Sequence, residues 1–116
     1  MYHRDLNVWK ASMDLVQQVY ALTESFPSEE RFGLSSQLRR AAVSVPSNIA
    51  EGCGRGTNKD LSHFLDMASG SLSEVETQVL IAKNLGYVND TAELENEIAV
   101  VQKLLVGFRK HINDNI

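Results

Sequence analysis

The sequence has 116 residues, of which 43% are hydrophobic and 22% are charged, and its formal net charge is −4. This length suits one domain and this composition is typical of a folded protein, which argues against disorder and against two separate cores. The mildly acidic charge gives no overall attraction to nucleic acid or anionic lipid, and no apolar run approaches the roughly 20 residues of a membrane span.

The first predicted helix covers residues 6–25. Its apolar side chains recur at steps of three and four residues, which is the spacing of a helix and not of a strand. Pro27 ends it, because the residue before a proline is driven out of the α region. The predicted buried stripe consists of Leu6, Trp9, Met13, Val16, Tyr20 and Thr23.

The second predicted helix opens near Ser28, an N-cap candidate followed by two glutamates, and it ends in the glycine-rich segment 52–56. Pro46 removes a backbone donor inside this helix, which predicts a kink; the alternative is two shorter helices. The predicted stripe consists of Leu34, Leu38, Ala41, Val45 and either Asn48 or Ile49.

The third predicted helix has Thr57 or Asn58 as its N-cap and runs to about Leu85, where Gly86 suits a left-handed C-terminal cap. Gly70 lies in its middle and is expected to let another helix approach closely. The predicted stripe consists of Leu61, Leu65, Ala68, Leu72, Val75 and Val79.

The fourth predicted helix has Asp90 as its N-cap and Glu93 three residues later, as in a capping box. The predicted stripe consists of Leu94, Ile98, Val101, Leu105, Phe108 and Ile112. Four such stripes joined by short links predict an all-α fold, an antiparallel up-down-up-down four-helix bundle with helix two kinked at Pro46.

Helices three and four carry more apolar side chains than one buried stripe requires. A second buried face would explain them, which predicts a homo-oligomer; the alternative is scattered aliphatic side chains on an ordinary surface. The additional residues are Phe64, Met67, Leu80, Ile81, Ala99, Val100, Leu104 and Val106.

The charges and the single cysteine give two further expectations. Residues 1–59 carry seven Lys and Arg against six Asp and Glu, whereas residues 60–116 carry four against nine. Any polyanion site would therefore be local, and the first half is the favoured place for it. The polar N-terminus lacks the apolar core of a signal peptide, and Cys53 cannot form an internal disulfide. We therefore expect a cytoplasmic protein with one domain over residues 1–116.

No catalytic, cofactor or metal constellation is evident in the sequence. A di-iron bundle needs two carboxylate-x-x-His motifs, and only Asp60 and His63 make one. Cys53 follows a helix end among glycines, with no base beside it to activate the thiol. We therefore predict no enzymatic activity, no cofactor and no metal.

The segment Gly52–Thr57 has neither the spacing of a P-loop nor that of a dinucleotide fingerprint. One binding role remains open, in which its amides and the start of helix three hold a phosphate of RNA or DNA, with Arg55 and Lys59 assisting. The simpler interpretation is a connecting loop.

Helix two also carries a polar column, which consists of Arg39, Arg40, Ser44, Ser47, Asn48 and Glu51. The pairs Arg40–Ser44 and Glu51–Arg55 have i,i+4 spacing, which predicts bonds along the helix surface. In one interpretation this column is a structural network, which fixes the helix register or a subunit contact. In the other it is a binding surface for a ligand or nucleic acid, with Arg39 and Arg40 contacting phosphates. The combined candidate patch for nucleic acid or a subunit interface is Arg39, Arg40, Asn48, Glu51, Arg55 and Lys59.

Four motifs carry a family resemblance. They are Val8-Trp9-Lys10-Ala11, Phe26-Pro27-x-x-Glu30-x-Phe32-Gly33-Leu34, the run from Gln37 to Gly52 that contains Gln-Leu-Arg-Arg-Ala-Ala and Asn-Ile-Ala-Glu-Gly, and Phe64-Leu65-x-x-Ala68-x-Gly70-Ser71-x-x-Glu74. Residues 6–87 thereby resemble the bacterial four-helix bundle proteins encoded within intervening sequences of 23S ribosomal RNA genes.

The resemblance implies a kinked antiparallel bundle that assembles as a pentamer around a central channel and has no enzymatic activity. It also implies kinship with the accessory protein of diversity-generating retroelements, a similar pentamer that partners a reverse transcriptase and binds nucleic acid. That relative is strongly basic, whereas this sequence has a pI of about 5.3.

We therefore expect a non-enzymatic, homo-oligomeric interaction or scaffold protein, pentameric by the resemblance. The alternative function is an RNA- or DNA-binding accessory protein that uses the local Arg/Lys patch, with a nucleic-acid enzyme as a further partner. A small-molecule or metal-dependent enzyme is a third hypothesis, which predicts bound metal.

Overall fold

The computed structural model describes residues 1–116 as four α-helices without any strand. The helices are α1 (Asn7–Thr23), α2 (Leu34–Cys53), α3 (Asn58–Asn84) and α4 (Ala92–Asn113), and two short 3-10 helices cover His3–Asp5 and Ser28–Glu30. The prediction of an all-α fold with four helices is confirmed. None of these helices combines the length and the apolar character that crossing a membrane requires.

Each helix packs against two others. α1 contacts α2 and α4, and α3 also contacts α2 and α4, with α2 and α3 forming the most extensive pair. The buried hydrophobic side chains form one cluster between the four helices. Because α1 does not pack directly on α3, nor α2 on α4, the α1/α2 side and the α3/α4 side of the molecule lie opposite each other.

The predicted stripes of α3 and α4 are the ones that the structure buries. All six residues of the α3 stripe are buried, and so are those of the α4 stripe apart from Phe108, which is half-buried. In α2, Ile49 is fully buried and Asn48 is half-buried, which resolves the alternative in favour of Ile49.

The predicted stripe of α1 was wrong, because the buried stripe is displaced around the helix. Met13 and Tyr20 are 38% and 40% exposed. Two stripes with helical spacing run side by side in α1, and the structure buries the one with smaller side chains. Ser12 and Thr23 can be buried there because their hydroxyls donate to carbonyls of their own helix. The buried residues of α1 are Val8, Ser12, Leu15, Val19 and Thr23.

The start of the second helix was also predicted too early. Ser28 opens only a 3-10 turn, and α2 begins at Leu34. Gly33 separates the two segments with φ −109° and ψ −115°, outside the helical region. Glu30 then caps α2, because its Oε1 accepts a hydrogen bond of 3.1 Å from the amide of Leu34.

Pro46 lies buried inside α2, which runs without interruption from Leu34 to Cys53. The alternative of two shorter helices is therefore wrong. The fold tolerates the missing backbone donor within one continuous helix.

The predicted caps of α3 are confirmed. Thr57 is the N-cap, and its Oγ1 accepts a hydrogen bond of 3.1 Å from the Asp60 amide. At the other end Gly86 has φ +79°, its amide donates to the Lys83 carbonyl, and the Tyr87 amide donates to the Ala82 carbonyl. These two bonds form a Schellman motif, which requires a left-handed residue and therefore favours glycine.

The predicted cap of α4 was one residue too early. Thr91 is the N-cap, and its hydroxyl bonds to Glu95, so Glu93 takes no part in a capping box with Asp90. Asp90 contributes differently, because its Oδ1 accepts from the Ala92 amide at 3.0 Å.

Close helix approach occurs at Gly52 and not, as predicted, at Gly70. A Cβ on residue 70 would meet nothing within 4 Å, and Gly70 is exposed. A Cβ on residue 52 would stand 2.8 Å from Leu61 Cδ1 and 2.9 Å from Phe64 Cβ. The α2/α3 pair therefore depends on a glycine that precedes the loop.

Candidate functional site

Arg39 reaches from α2 to the C-terminal end of α1. Its Nε donates to Thr23 Oγ1 at 2.7 Å, and its Cζ lies 4.5 Å from the centre of the Tyr20 ring. The Thr23 hydroxyl donates to the Val19 carbonyl at 2.9 Å, which leaves its lone pairs free to accept from Arg39. These contacts fix the guanidinium while its two Nη groups make no intramolecular hydrogen bond.

Arg40 is exposed and follows Arg39 by one residue, so the two side chains diverge by about 100° around the helix. Neither arginine takes part in an ion pair, since the four ion pairs of the molecule involve other residues. The predicted contact between Arg40 and Ser44 is not formed as a hydrogen bond.

Arg39 and Arg40 line an open groove of about 860 Å³ between the end of α1 and the start of α2. Arg31 and Phe32 line the same groove, with the Arg31 Cζ 5.3 Å from the centre of the Phe32 ring. Phe32 is 88% exposed, more than any other large hydrophobic residue of the chain. We call this the arginine groove and define it by Tyr20, Arg31, Phe32, Arg39 and Arg40.

Asn48 belongs to a polar chain between α2 and α3. Its Nδ2 donates to the carbonyl and to the hydroxyl of Ser44, both at 2.9 Å, and the Ser71 hydroxyl donates to the Ser44 hydroxyl at 2.9 Å. All three side chains are half-buried. The side-chain amide of Asn48 is therefore hydrogen-bonded within the protein. This geometry favours a structural role for Asn48 and Ser44 over ligand binding.

Glu51 and Arg55 form an exposed ion pair of 2.8 Å, as predicted. The Arg55 Cζ also lies 4.8 Å from the centre of the Phe64 ring, so this guanidinium is occupied on two sides. Lys59 is exposed and has no ion-pair partner.

The six candidate residues do not gather into one patch. Arg40 lies thirteen residues before the end of α2 at Cys53, which is about 20 Å along the helix axis. Arg39 and Arg40 therefore belong to one end of α2, and Glu51, Arg55 and Lys59 to the other, with Asn48 in the bonded chain between them.

Cys53 is buried, and this burial raises the pKa of its thiol. A raised pKa disfavours the thiolate, which is the nucleophilic and metal-binding form. His, Cys, Asp and Glu side chains nowhere come together in a group of three or more that could hold a metal ion. Asp60 and His63 are both exposed, in the first two turns of α3.

Sequence reasoning missed three members of the arginine groove, namely Tyr20, Arg31 and Phe32. Tyr20 was assigned to the buried stripe of α1, and residues 31 and 32 were placed inside the second helix. One signal was available, because Arg31-Phe32-Gly33 interrupts the apolar period immediately before Leu34.

The comparison with protein families decides the membership of this chain. Residues 4–107 match the family of 23S rRNA-intervening sequence proteins, which covers most of the sequence. The chain belongs to this family. The family resemblance that the motifs predicted is thereby confirmed. A search of the curated proteins found no significant match.

A solved relative has the same fold as this 23S rRNA-intervening sequence protein. It is a crystal structure at 1.70 Å of a protein of unknown function from the S23 ribosomal protein family of Bacteroides thetaiotaomicron. The superposition has a TM-score of 0.81 and covers 89% of this chain and 98% of that one, at 21% sequence identity. At this identity the likeness establishes the fold alone.

Proposed function

We propose that the protein is a non-enzymatic interaction or scaffold protein that assembles into a homo-oligomer, with five copies as the family resemblance implies. The observation that carries the proposal is the presence of exposed apolar side chains on two opposite sides of the molecule, in a groove between α1 and α2 and along the contact between α3 and α4.

The first surface is a groove of about 380 Å³ between α1 and α2. It exists because α1 buries its small side chains and leaves larger ones such as Met13 at its edge, 38% exposed. Val43 of α2, which is 40% exposed, lines the same groove. We call it the apolar groove. Its apolar lining residues are Trp9, Met13, Val16, Val43, Pro46 and Ala50.

The second surface lies along the contact between α3 and α4. Val106 of α4 is 61% exposed. It follows Gln102 by four residues and precedes Arg109 by three, so the three side chains share one face of the helix. Gln102 and Arg109 both bond to α3, which places Val106 beside that helix. Leu80 of α3 is 39% exposed. It lies four residues after Glu76, which bonds to α4, so Leu80 faces the same side. We call Leu80 and Val106 the α3/α4 strip.

The positions of these surfaces favour a ring over a two-fold dimer. A two-fold interface uses the same patch on both copies, whereas two different patches on opposite sides suit head-to-tail contacts, which generate rings when the rotation closes. The apolar groove of one copy would then receive the α3/α4 strip of the next.

The internal arrangement proposed for each copy is an antiparallel up-down-up-down bundle with α2 kinked at Pro46. Bonds between α3 and α4 support an antiparallel direction for these two helices. Asp66 of α3 pairs with Arg109 of α4. Glu76 lies later in α3 but bonds to Gln102, which lies earlier in α4. Between α2 and α3, Ser44 meets Ser71 and Gly52 meets Leu61, again in opposite senses.

A mixing experiment tests the head-to-tail assembly. Met13→Asp blocks the apolar groove and Val106→Asp blocks the α3/α4 strip, and both positions are exposed enough to leave the core intact. Analytical ultracentrifugation should show an oligomer for the wild type and a monomer for each variant alone. An equimolar mixture should form a heterodimer through the one intact pair of surfaces.

Asn96→Asp is the matched control, since it adds the same charge to an exposed position of α4 outside the strip. It should retain the oligomer. If Met13→Asp and Val106→Asp both kept the wild-type mass, or if their mixture stayed monomeric, the head-to-tail interface would be wrong.

A second candidate function is RNA or DNA binding through Arg39 and Arg40 at one end of α2, as an accessory to a nucleic-acid enzyme. It is supported by Arg39 and Arg40, whose guanidinium groups lack carboxylate partners although the chain is acidic overall. Cationic side chains that remain unpaired are available to phosphates.

Filter retention of RNA and DNA at low salt tests this function. Arg39→Glu/Arg40→Glu should abolish retention, whereas Arg55→Glu/Lys59→Glu, at the other end of α2, should weaken it less. Retention that is unchanged in the Arg39/Arg40 variant would remove this function from consideration.

A further inference from the structure

We propose that the arginine groove is a nucleotide-binding site, which takes a phosphate and its neighbouring aromatic base. The ligand chemistry is that of a free nucleotide or of one unit in a single-stranded RNA. This inference goes beyond the homo-oligomer and rests on the second candidate function, which it narrows to a defined site and ligand class.

The phosphate half of the site is formed by three guanidinium groups. Arg31, Arg39 and Arg40 all line the groove, and none of them forms an ion pair. Arg39 is oriented in advance by its hydrogen bond to Thr23 and by its position over Tyr20, so a ligand would not bear the cost of ordering it. A planar guanidinium presents paired donors that match phosphate oxygens.

Hydroxyl groups complete this donor set. Ser28, Ser35, Ser36 and Ser44 line the groove beside the arginines, and Glu24 is its one carboxylate. Guanidinium and hydroxyl donors bind oxygen-rich anions, whereas the centre of a protein–protein interface is typically apolar. A groove with many such donors and one carboxylate therefore suits an anion better than a protein partner. The occupant is therefore expected to be a phosphate compound.

The base half of the site is Phe32. Its ring is 88% exposed, and Arg31 approaches it at 5.3 Å from the ring centre. Aromatic rings that project into solvent beside cationic side chains are the platforms on which unpaired bases stack. The backbone of Gly33 and the hydrogen bond that Glu30 accepts from the Leu34 amide fix the turn that presents this ring.

The dimensions of the groove agree with this assignment. About 860 Å³ lies within the range of roughly 300–1,000 Å³ that is typical of small-molecule sites. The groove opens to solvent, so one nucleotide of a strand could enter it while the neighbouring nucleotides stay outside.

Isothermal titration at low salt tests the site with adenosine 5′-monophosphate, inorganic phosphate, adenosine and a single-stranded oligoadenylate. We expect saturable binding of the nucleotide or the oligoadenylate, with phosphate and adenosine each weaker than the nucleotide. Arg40→Glu, an exposed position without bonds, should weaken binding about tenfold or more. Phe32→Ala should weaken the nucleotide and the oligoadenylate about fivefold while leaving phosphate unchanged.

Two further variants sharpen the result. Glu24→Gln removes the opposing carboxylate and should tighten binding, whereas Lys103→Glu, on the exposed surface of α4, should leave it unchanged. Binding of the nucleotide itself would indicate a free ligand, and binding of the oligoadenylate alone would indicate a strand; both support the site.

The site would be overturned if neither ligand bound, or if binding survived Arg40→Glu and Phe32→Ala unchanged. Retention of duplex RNA or DNA by the wild type, lost in Arg39→Glu/Arg40→Glu, would in that case preserve the second candidate function without the nucleotide site. If the wild type neither bound these ligands nor retained RNA or DNA, the nucleotide site and the second candidate function would both be wrong. The proposal of a homo-oligomer would not depend on that result.

Discussion

Gly52 of α2 lies so close to Leu61 of α3 that a side chain at residue 52 has no space. The missing Cβ would stand 2.8 Å from Leu61 Cδ1 and 3.3 Å from the Leu61 carbonyl oxygen. This contact fixes how closely the most extensive helix pair approaches just before the loop to α3. Gly70, in the middle of α3, faces open space instead.

The two glycines therefore predict opposite effects of the same substitution. Gly52→Ala should lower the free energy of unfolding by about 1–3 kcal/mol, because overpacking forces the helices apart. Gly70→Ala should raise it by about 0.5–1 kcal/mol, because alanine is the better helix former. Urea denaturation monitored by circular dichroism measures both, and equal effects of the same sign would contradict the packing described.

The polar chain of Asn48, Ser44 and Ser71 predicts a structural role for Asn48. Asn48→Ala removes two hydrogen bonds to Ser44, so the free energy of unfolding should fall by about 1 kcal/mol. Ser73→Ala, an exposed position of α3, is the control and should change stability by less than about 0.5 kcal/mol. Nucleic-acid retention should be unaffected by Asn48→Ala, and its loss would place Asn48 on the binding surface.

Glu30 joins the turn before α2 to the turn after α3. Its Oε2 accepts a hydrogen bond of 2.8 Å from the Tyr87 hydroxyl. The hydrogen bond from the Leu34 amide, and then that from Tyr87, lower the pKa of Glu30 below its ordinary value of 4.5. The same bond to Glu30, followed by burial, raises the pKa of Tyr87 above 10.

These directions predict how stability depends on pH. A lowered folded-state pKa means that the contribution of Glu30 is complete above 4.5 and is lost as the pH falls through its folded-state pKa. The raised pKa of Tyr87 acts at the alkaline end, where the contribution is lost as the pH rises through that pKa. Glu30→Gln should flatten the acidic limb of a plot of melting temperature against pH, and Tyr87→Phe the alkaline limb. An unchanged acidic limb in Glu30→Gln would contradict the assignment.

Cys53 is predicted to be unreactive in the folded protein. It is 6% exposed and burial raises its pKa, so the thiolate that attacks disulfide reagents is scarce at neutral pH. Labelling by an aromatic disulfide reagent should be slow in buffer and fast in denaturant, with Cys53→Ser as the blank. Rapid labelling of the native protein would show an activated thiol and would weaken the non-enzymatic assignment.

The sequence predicted the helices well where one stripe was unambiguous. In α3 and α4 the apolar residues of the predicted stripe keep helical spacing over the whole helix, and the structure buries nearly all of them. In α1 two sets compete, and hydrophobicity favoured Trp9 and Met13 over a stripe that contains Ser12. The buried set is decided by the fit to α2 and α4 and by a hydroxyl that bonds to its own helix, which are tertiary properties.

The candidate site was predicted less completely. Arg39 and Arg40 were identified, but their neighbours Arg31 and Phe32 were assigned to a helix that in fact begins only at Leu34. The break between the 3-10 turn and α2 depends on the backbone of Gly33 and on the cap by Glu30. The second carboxylate oxygen of Glu30 accepts a hydrogen bond from Tyr87, which lies in the distant α3–α4 link. A partner so far along the sequence is not visible in local spacing.

Homo-oligomeric assembly is the central claim, and the native mass of the wild-type protein tests it most directly. Size-exclusion chromatography with light scattering at micromolar concentration should give about five times the 12.9 kDa of one chain. A mass equal to that of a single chain, unchanged as the concentration rises, would contradict the claim.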